Sequence, residues 1–283
     1  MQTALTDEDL DPAVNYLCMN YDDTVGLIRE SPDPEFENNY WVYSDNYLAS
    51  LVLLIYDQSN LTLTGRAENI TNGMQYCLHQ AGICNPMNQY MALTESASYF
   101  DNAPPVTLAR VDGATINTAM NNRIEDPLLP WNYSDIAFLQ AVYYHELGHE
   151  SDAMKAYGYG VNRYDGKGFK DDAYNDSYLY QTYKLALYIY ASKSLCQEYE
   201  QQAFDTLLAM QQHDGNGGFN TSYDSSLREI GGTNTETTSL AVLSLILTTP
   251  QEPIPEFGMG PFVMMVFLAA VVLTIAARRR KAW

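Results

Sequence analysis

Four stretches of this chain read as helices that are apolar on nearly every side: YWVYSDNYLASLVLLIY from Tyr40, PWNYSDIAFLQAVYY from Pro130, YLYQTYKLALYIYA from Tyr178 and NTETTSLAVLSLIL from Asn234. A helix without a polar face has to be surrounded by protein, which restricts the chain to a layered, mainly α architecture with these four inside. Aligned on Leu48, Phe138, Leu185 and Leu240, they lie 90, 47 and 55 residues apart. That spacing suggests a helical-hairpin unit of about 45 to 55 residues, with one unit between the first two hard to see. The segments between them carry one apolar face. In EYEQQAFDTLLAMQQ, Glu198 to Gln212, the residues Phe204, Leu207, Leu208 and Met210 recur at helical spacing. Alternating buried and half-buried helices make an inner and an outer ring.

The turns leading into two inner helices match: Asp165-Gly166-Lys167-Gly168-Phe169 and Asp214-Gly215-Asn216-Gly217-Gly218-Phe219. Glycine permits the left-handed backbone of a tight turn, and phenylalanine anchors the loop on the core. LLAMQQHDGNGGFN followed by ETTSLAVLSL resembles one repeat of the terpenoid-cyclase and prenyltransferase α/α-toroid superfamily; the similarity covers Leu207 to Leu247, with an echo from Tyr164 to Ala191. The resemblance implies an α/α toroid for residues 1 to about 247. It does not imply cyclase chemistry, because the superfamily's DxDD motif is absent and DEDLD at Asp7 to Asp11 does not supply it. One segment, about 90–123, departs from the helical pattern. There VTLARVDGATINTAM alternates apolar and polar residues around Asp112-Gly113, which predicts a small β insertion built on a hairpin.

The strongest compositional break comes at the end. A proline-rich linker, 248–256, leads into 21 residues without a charge, Phe257 to Ala277, and then into Arg278, Arg279, Arg280 and Lys281 in the tail 278–283. An uncharged run of about that length spans a bilayer, and the basic end stays on the cytoplasmic side, so the body is expected outside the cell. Pro255-Glu256-Phe257-Gly258 before the span resembles the C-terminal sorting signals of archaeal surface proteins, which implies an archaeosortase, a sorting transpeptidase, as a partner. Five sequons, at Asn60, Asn69, Asn132, Asn175 and Asn220, are candidate glycosylation sites and agree with an extracellular body. The opening MQTALTDEDLDPAV has neither the basic nor the apolar region of an export signal, so either the true start lies upstream of Met1, which is the expectation, or the tail itself signals export. With 35 acidic against 15 basic side chains the formal charge is −20, which sets aside nucleic acid and anionic lipid as ligands. Cys18, Cys77, Cys84 and Cys196 match no metal or redox spacing. A disulfide could close the segment between Cys77 and Cys84; four buried thiols fit cysteine usage equally well.

Two sets of residues carry chemistry. His145-Glu146-Leu147-Gly148-His149 matches the HExxH zinc-peptidase motif, in which two histidines on one helical face hold the metal and the glutamate activates water. Here the inner helix is expected to start near Ser134-Asp135, capped by either side chain, and to stop at Glu146, with Gly148 in the left-handed position and Ser151 capping the next helix. His145 and His149 then lie on different elements, so zinc is the alternative rather than the expectation. The second set is Trp41, Tyr43 and Asp45, then Trp131, Tyr133 and Asp135, then Tyr164 and Asp165, all near the starts of inner helices. On one mouth of a ring, aromatic planes and carboxylates suit a glycan ligand, and two carboxylates at the right separation would suit a hydrolase or lyase. The simpler account is that the aspartates cap helices and the aromatics pack loops.

Overall fold

Residues 7–32, 40–56, 61–80, 89–93, 106–111, 114–119, 132–212 and 215–247 are described by the structure, a computed structural model. The chain separates into two units, Met1–Thr249 and Pro250–Trp283, and every described residue belongs to the first. The linker 248–256, the uncharged run 257–277 and the tail 278–283 lie outside the described residues, as do Trp131, Cys84 and Asn60. Among the described residues no helix is long and apolar enough to cross a membrane.

In chain order the elements are α1 (Asp7–Met19), β1 (Tyr21–Asp22), β2 (Leu27–Ile28), β3 (Tyr40–Val42), α2 (Tyr43–Tyr56), α3 (Leu61–Gln80), a 3-10 turn (Gln89–Leu93), β4 (Val106–Val111) and β5 (Ala114–Ala119). Then come α4 (Ser134–Glu146), α5 (Glu150–Val161), α6 (Asp172–Ser177), β6 (Tyr180–Gln181), α7 (Thr182–Ser194), α8 (Gln201–Ala209), β7 (Asn220–Tyr223), β8 (Glu229–Thr233) and α9 (Thr235–Ile246). The architecture is mainly helical with small sheets.

The four apolar stretches become α2, α4, α7 and α9, each buried on most of its circumference. Their companions bury one stripe, because their apolar residues recur at helical spacing. On α3 the stripe is Leu63, Ala67, Ile70, Met74 and Cys77; on α5 it is Ala153, Ala156, Tyr157 and Gly160. α3 packs on α2, α5 on α4 and α8 on α7, whereas α9 takes α1 from the other end of the chain. Contacts between the inner helices run from α2 to α9, α9 to α7 and α7 to α4. The 3-10 turn touches both α4 and α2 and so completes the circuit.

Short strands aim the inner helices. β3 runs into α2, β6 into α7, and β8 leads into α9 one residue later. The hairpin expected around Asp112-Gly113 is present as β4 paired antiparallel with β5, Val111 facing Ala114, and β3 joins it in parallel through Trp41 and Ile116. The sequence did not announce a second sheet, β6-β7-β8, in which Tyr180 faces Tyr223 and Asn220 faces Thr233. The matching turns recur as expected. Tyr164 bridges Phe169 and Gln211 bridges Phe219, with both phenylalanines buried and Gly166 and Gly217 at φ +91° and +84°. Thr238 Oγ1 accepts from the Phe219 amide at 3.0 Å, fixing the second turn to α9.

Candidate functional site

The HELGH stretch resolves into a helix stop. α4 ends at Glu146, Leu147 is its cap, and Gly148 has φ +74°. The Gly148 amide donates to His145 O at 2.8 Å and the His149 amide to Tyr144 O at 2.8 Å, the paired bonds of a left-handed C-terminal cap. His149 is then the N-cap residue of α5, so Ser151 falls inside the first turn of α5 and does not cap it. The two histidines have separate neighbours. His145 Nδ1 lies 2.9 Å from Glu150 Oε1, while the His149 ring stacks on Tyr144 at 6.4 Å. Among the described residues no group of three or more His, Cys, Asp or Glu is placed to hold a metal ion.

The aromatic and acidic residues expected at a mouth do not form one open platform. Trp41 is 1% exposed, and Tyr43 and Asp45 are also buried, with Ser44 Oγ donating to Asp45 Oδ1 at 3.0 Å. Tyr164 packs against Phe169 and Tyr188, and burial pushes its phenol up to about 12. Asp165 braces its turn. Its Oδ1 accepts from the Lys167 and Gly168 amides, and its Oδ2 from Tyr180 at 2.7 Å and Lys170 at 2.8 Å. Burial would raise its carboxyl, but Lys170, Tyr180 and the two amides outweigh that and hold it at about 2. Asn220, one of the glycosylation candidates, lies inside the structure. It is 1% exposed, its amide nitrogen donates to Met210 O, and its oxygen accepts from Gln212. Asn69, Asn132 and Asn175 are exposed.

What does converge is an acid cluster where α4, α7 and α9 begin. Asp135, in the first turn of α4, accepts from the Tyr183 hydroxyl at 3.2 Å, and its other oxygen lies 3.6 Å from Lys184 Nζ. Lys184 is 1% exposed and donates to Asp171 Oδ2 at 2.5 Å. Asp171, 0% exposed, also accepts from the Ser134 amide and hydroxyl and from the amides of Ala173 and Tyr174. Neither Ser134 nor Asp135 caps α4, as the sequence had suggested; its N-cap residue is Tyr133, which makes no side-chain cap bond, and Asp171 reaches in from outside to take the Ser134 donor. In the first turn of α9, Glu236 accepts from the Tyr90 hydroxyl on the 3-10 turn. Glu30 accepts from Asn234 at 2.9 Å, and Asn234 in turn caps α9 through the Thr237 amide.

The titration of these groups is split by environment. Burial raises Asp135, against the pull of Lys184 and with Asp171 adding to the rise. Burial also raises Glu236, partly offset by the Tyr90 hydroxyl and reinforced by Asp135. Glu30 is pushed up to about 7, first by burial and then by the charge of Glu236. Asp171 goes the other way, because Lys184 and the Ser134 donors overcome its burial. Tyr90 and Tyr183 rise well above the ordinary phenol value, chiefly through burial, and stay donors. Carboxyls raised in this way beside one fixed ion pair take up a proton more readily than free ones, and in that form they donate to hydroxyl oxygens.

Of the expected set, only Asp135 belongs to this cluster. Lys184 and Glu236 carried a legible signal: each is a charge inside an otherwise apolar inner helix, where an ionic group needs a partner. No protein-family model, curated protein or solved structure matches the chain.

Proposed function

We propose that the chain is a membrane-anchored cell-surface protein whose body is an α/α toroid that binds a polyhydroxylated ligand, a glycan, at the end of the ring where α4, α7 and α9 begin. The convergence of Asp135, Glu236, Tyr90, Tyr183 and Lys184 there carries the reading, since alternating carboxyl, phenol and ammonium groups complement sugar hydroxyls. The run of inner helices from α2 through α9 and α7 to α4, each with an outer companion and joined at its ends by the 3-10 turn, supports the toroid. The address rests on the 21 uncharged residues, the four cations after them and the Pro255-Glu256-Phe257-Gly258 motif, which would make a sorting transpeptidase a partner.

Glycan-array binding by the full chain in detergent, repeated with Asp135→Asn and Glu236→Gln, tests the site. Binding that both variants lose while keeping their fold supports it; binding unchanged in both defeats it. The raised carboxyls Asp135 and Glu236 favour a second reading, a hydrolase or lyase. Release of reducing ends from a bound glycan separates that from binding alone.

A further inference from the structure

Tyr178 is 73% exposed, the highest value among the exposed large hydrophobic side chains of the described residues. Its backbone is left-handed, with φ +58°. It terminates α6: its amide donates to Tyr174 O at 2.6 Å, and Ser177 Oγ donates to Ala173 O one residue earlier. Glycine or asparagine takes such a position without strain, whereas a tyrosine is strained there, and this one gains little burial in return. Its ring meets Tyr174 edge-on at 6.2 Å and 76°. Tyr174 is itself anchored inward, 4.7 Å from Tyr180, which stacks on buried Tyr223 at 5.3 Å. The result is a right-angled aromatic corner, fixed on one side and open to solvent on the other.

Asn175, on α6, stands next to Tyr174 and three residues before Tyr178, the left-handed residue that ends the helix, and it opens the sequon Asn175-Asp176-Ser177. It is exposed. The sequon at Asn220 differs, because Asn220 is buried and bonded at both ends. We propose that Asn175 is N-glycosylated and that the Tyr174–Tyr178 corner seats its first sugar, with the Tyr178 plane covering the C–H face of the ring. In the transfer, Asn175 Nδ2 loses one proton and bonds to the anomeric carbon of a sugar carried on a polyprenyl pyrophosphate. The anomeric C–O bond breaks, and the pyrophosphate leaves with the electron pair. The inference rests on the reading that the body lies outside the cell.

The test uses the full chain, purified from the membranes of a host that glycosylates exported proteins. Glycopeptide mass spectrometry reads Asn69, Asn132, Asn175 and Asn220, and thermal unfolding compares the natural chain with Asn175→Gln, Tyr178→Asn and the double variant. Asparagine keeps the left-handed backbone, so Tyr178→Asn removes the ring without breaking the turn. The expected result is sugar at Asn175 and none at Asn220. Asn175→Gln should lower Tm by about 2–4 °C, and Tyr178→Asn, which also relieves the left-handed strain, should change Tm less favourably in the glycosylated chain than when it is added to Asn175→Gln. An unmodified Asn175 beside a modified Asn69 or Asn132, or equal effects of Tyr178→Asn with and without the sugar, overturns the inference alone. Empty sites at all three exposed sequons overturn the extracellular reading and this inference together.

Discussion

Replacing Glu30 by Gln isolates the cost of keeping a carboxylate beside the start of α9. Glu30 Oε1 accepts from Asn234, its other oxygen is buried with no hydrogen-bond partner among the described residues, and the charge of Glu236 lies nearby. Burial first, then Glu236, lift its carboxyl from 4.5 to about 7. A group raised in the fold favours folding fully below its unfolded value and loses that contribution as pH rises through its folded value. The stability of the body should therefore fall between about pH 4.5 and pH 7. The whole shift corresponds to about 3 kcal/mol at most, since one pKa unit is about 1.4 kcal/mol. Glutamine keeps the acceptor for Asn234 and carries no charge at any pH.

Glu30→Gln should accordingly raise Tm at pH 8 by up to about 6–12 °C, taking about 2–4 °C per kcal/mol for a body of this size. At pH 4 the two proteins should unfold together. Thermal unfolding followed by far-UV circular dichroism across that range measures both. Glu30→Gln that is no more stable than the natural chain at pH 8, or a natural chain whose stability is flat from pH 5 to pH 8, would refute the reasoning. Asp165 and Asp171 act in the opposite sense. Their lowered carboxyls stabilise above the ordinary carboxylate range and lose that contribution only as the pH falls through their folded values.

Lys184→Met removes the cation from a pair buried on both sides and leaves Asp171 charged without it, so it should cost about 3–5 kcal/mol in urea unfolding; a loss under 1 kcal/mol would show that the amide and hydroxyl donors suffice. Gly148→Val should cost about 1–2 kcal/mol from backbone strain alone, because no atom lies within 4 Å of an added Cβ, whereas a Cβ at Gly160 would sit 2.5 Å from the Phe138 ring and should cost about 1–3 kcal/mol through overpacking. For the HELGH turn, elemental analysis of chain purified without chelator should find no stoichiometric zinc; one equivalent lost on His149→Ala would mean that the two imidazoles share a metal after all.

Much of the helical frame was legible because the signals were local. Four all-apolar runs marked the inner helices, and Gly148 marked a helix end through its own backbone requirement. The turns at Phe169 and Phe219 repeated the same residues for the same reason. What escaped depended on distant partners. Asp171 takes up the Ser134 donor from 37 residues away, which a capping rule that looks only at neighbours cannot see. β6 has two residues, too few for an alternating pattern, and it exists because Tyr180 pairs with Tyr223. The long gap between the first two apolar runs has no inner helix among its described residues; the 3-10 turn stands there instead, touching α2 and α4. Asn220 matches a sequon as text, but its side chain pins β7 to the end of α8.

The placement of charge follows from the direction of the inner helices. The first turns of α4, α7 and α9 meet at Asp135, Tyr183, Lys184 and Glu236, while the last turns of α7 and α9 meet where Lys193 Nζ donates to Ser244 O at 2.7 Å. Helices that run the same way bring like ends together, and each N-terminus carries a partial positive charge of about half a unit. Carboxylates at that end and an ammonium at the other offset the repulsion, which gives the acid cluster a structural reason before any ligand is considered. Burial works against the same charges, holding Asp135 and Glu236 above the ordinary range and lowering Lys193 to about 8. A variant at Asp135 or Glu236 would thus alter stability together with the recognition proposed for this cluster. The two are separable by pH, since the stability cost of an ionised cluster vanishes once its carboxyls are protonated, whereas a ligand that needs a donor there should bind better as they take up the proton.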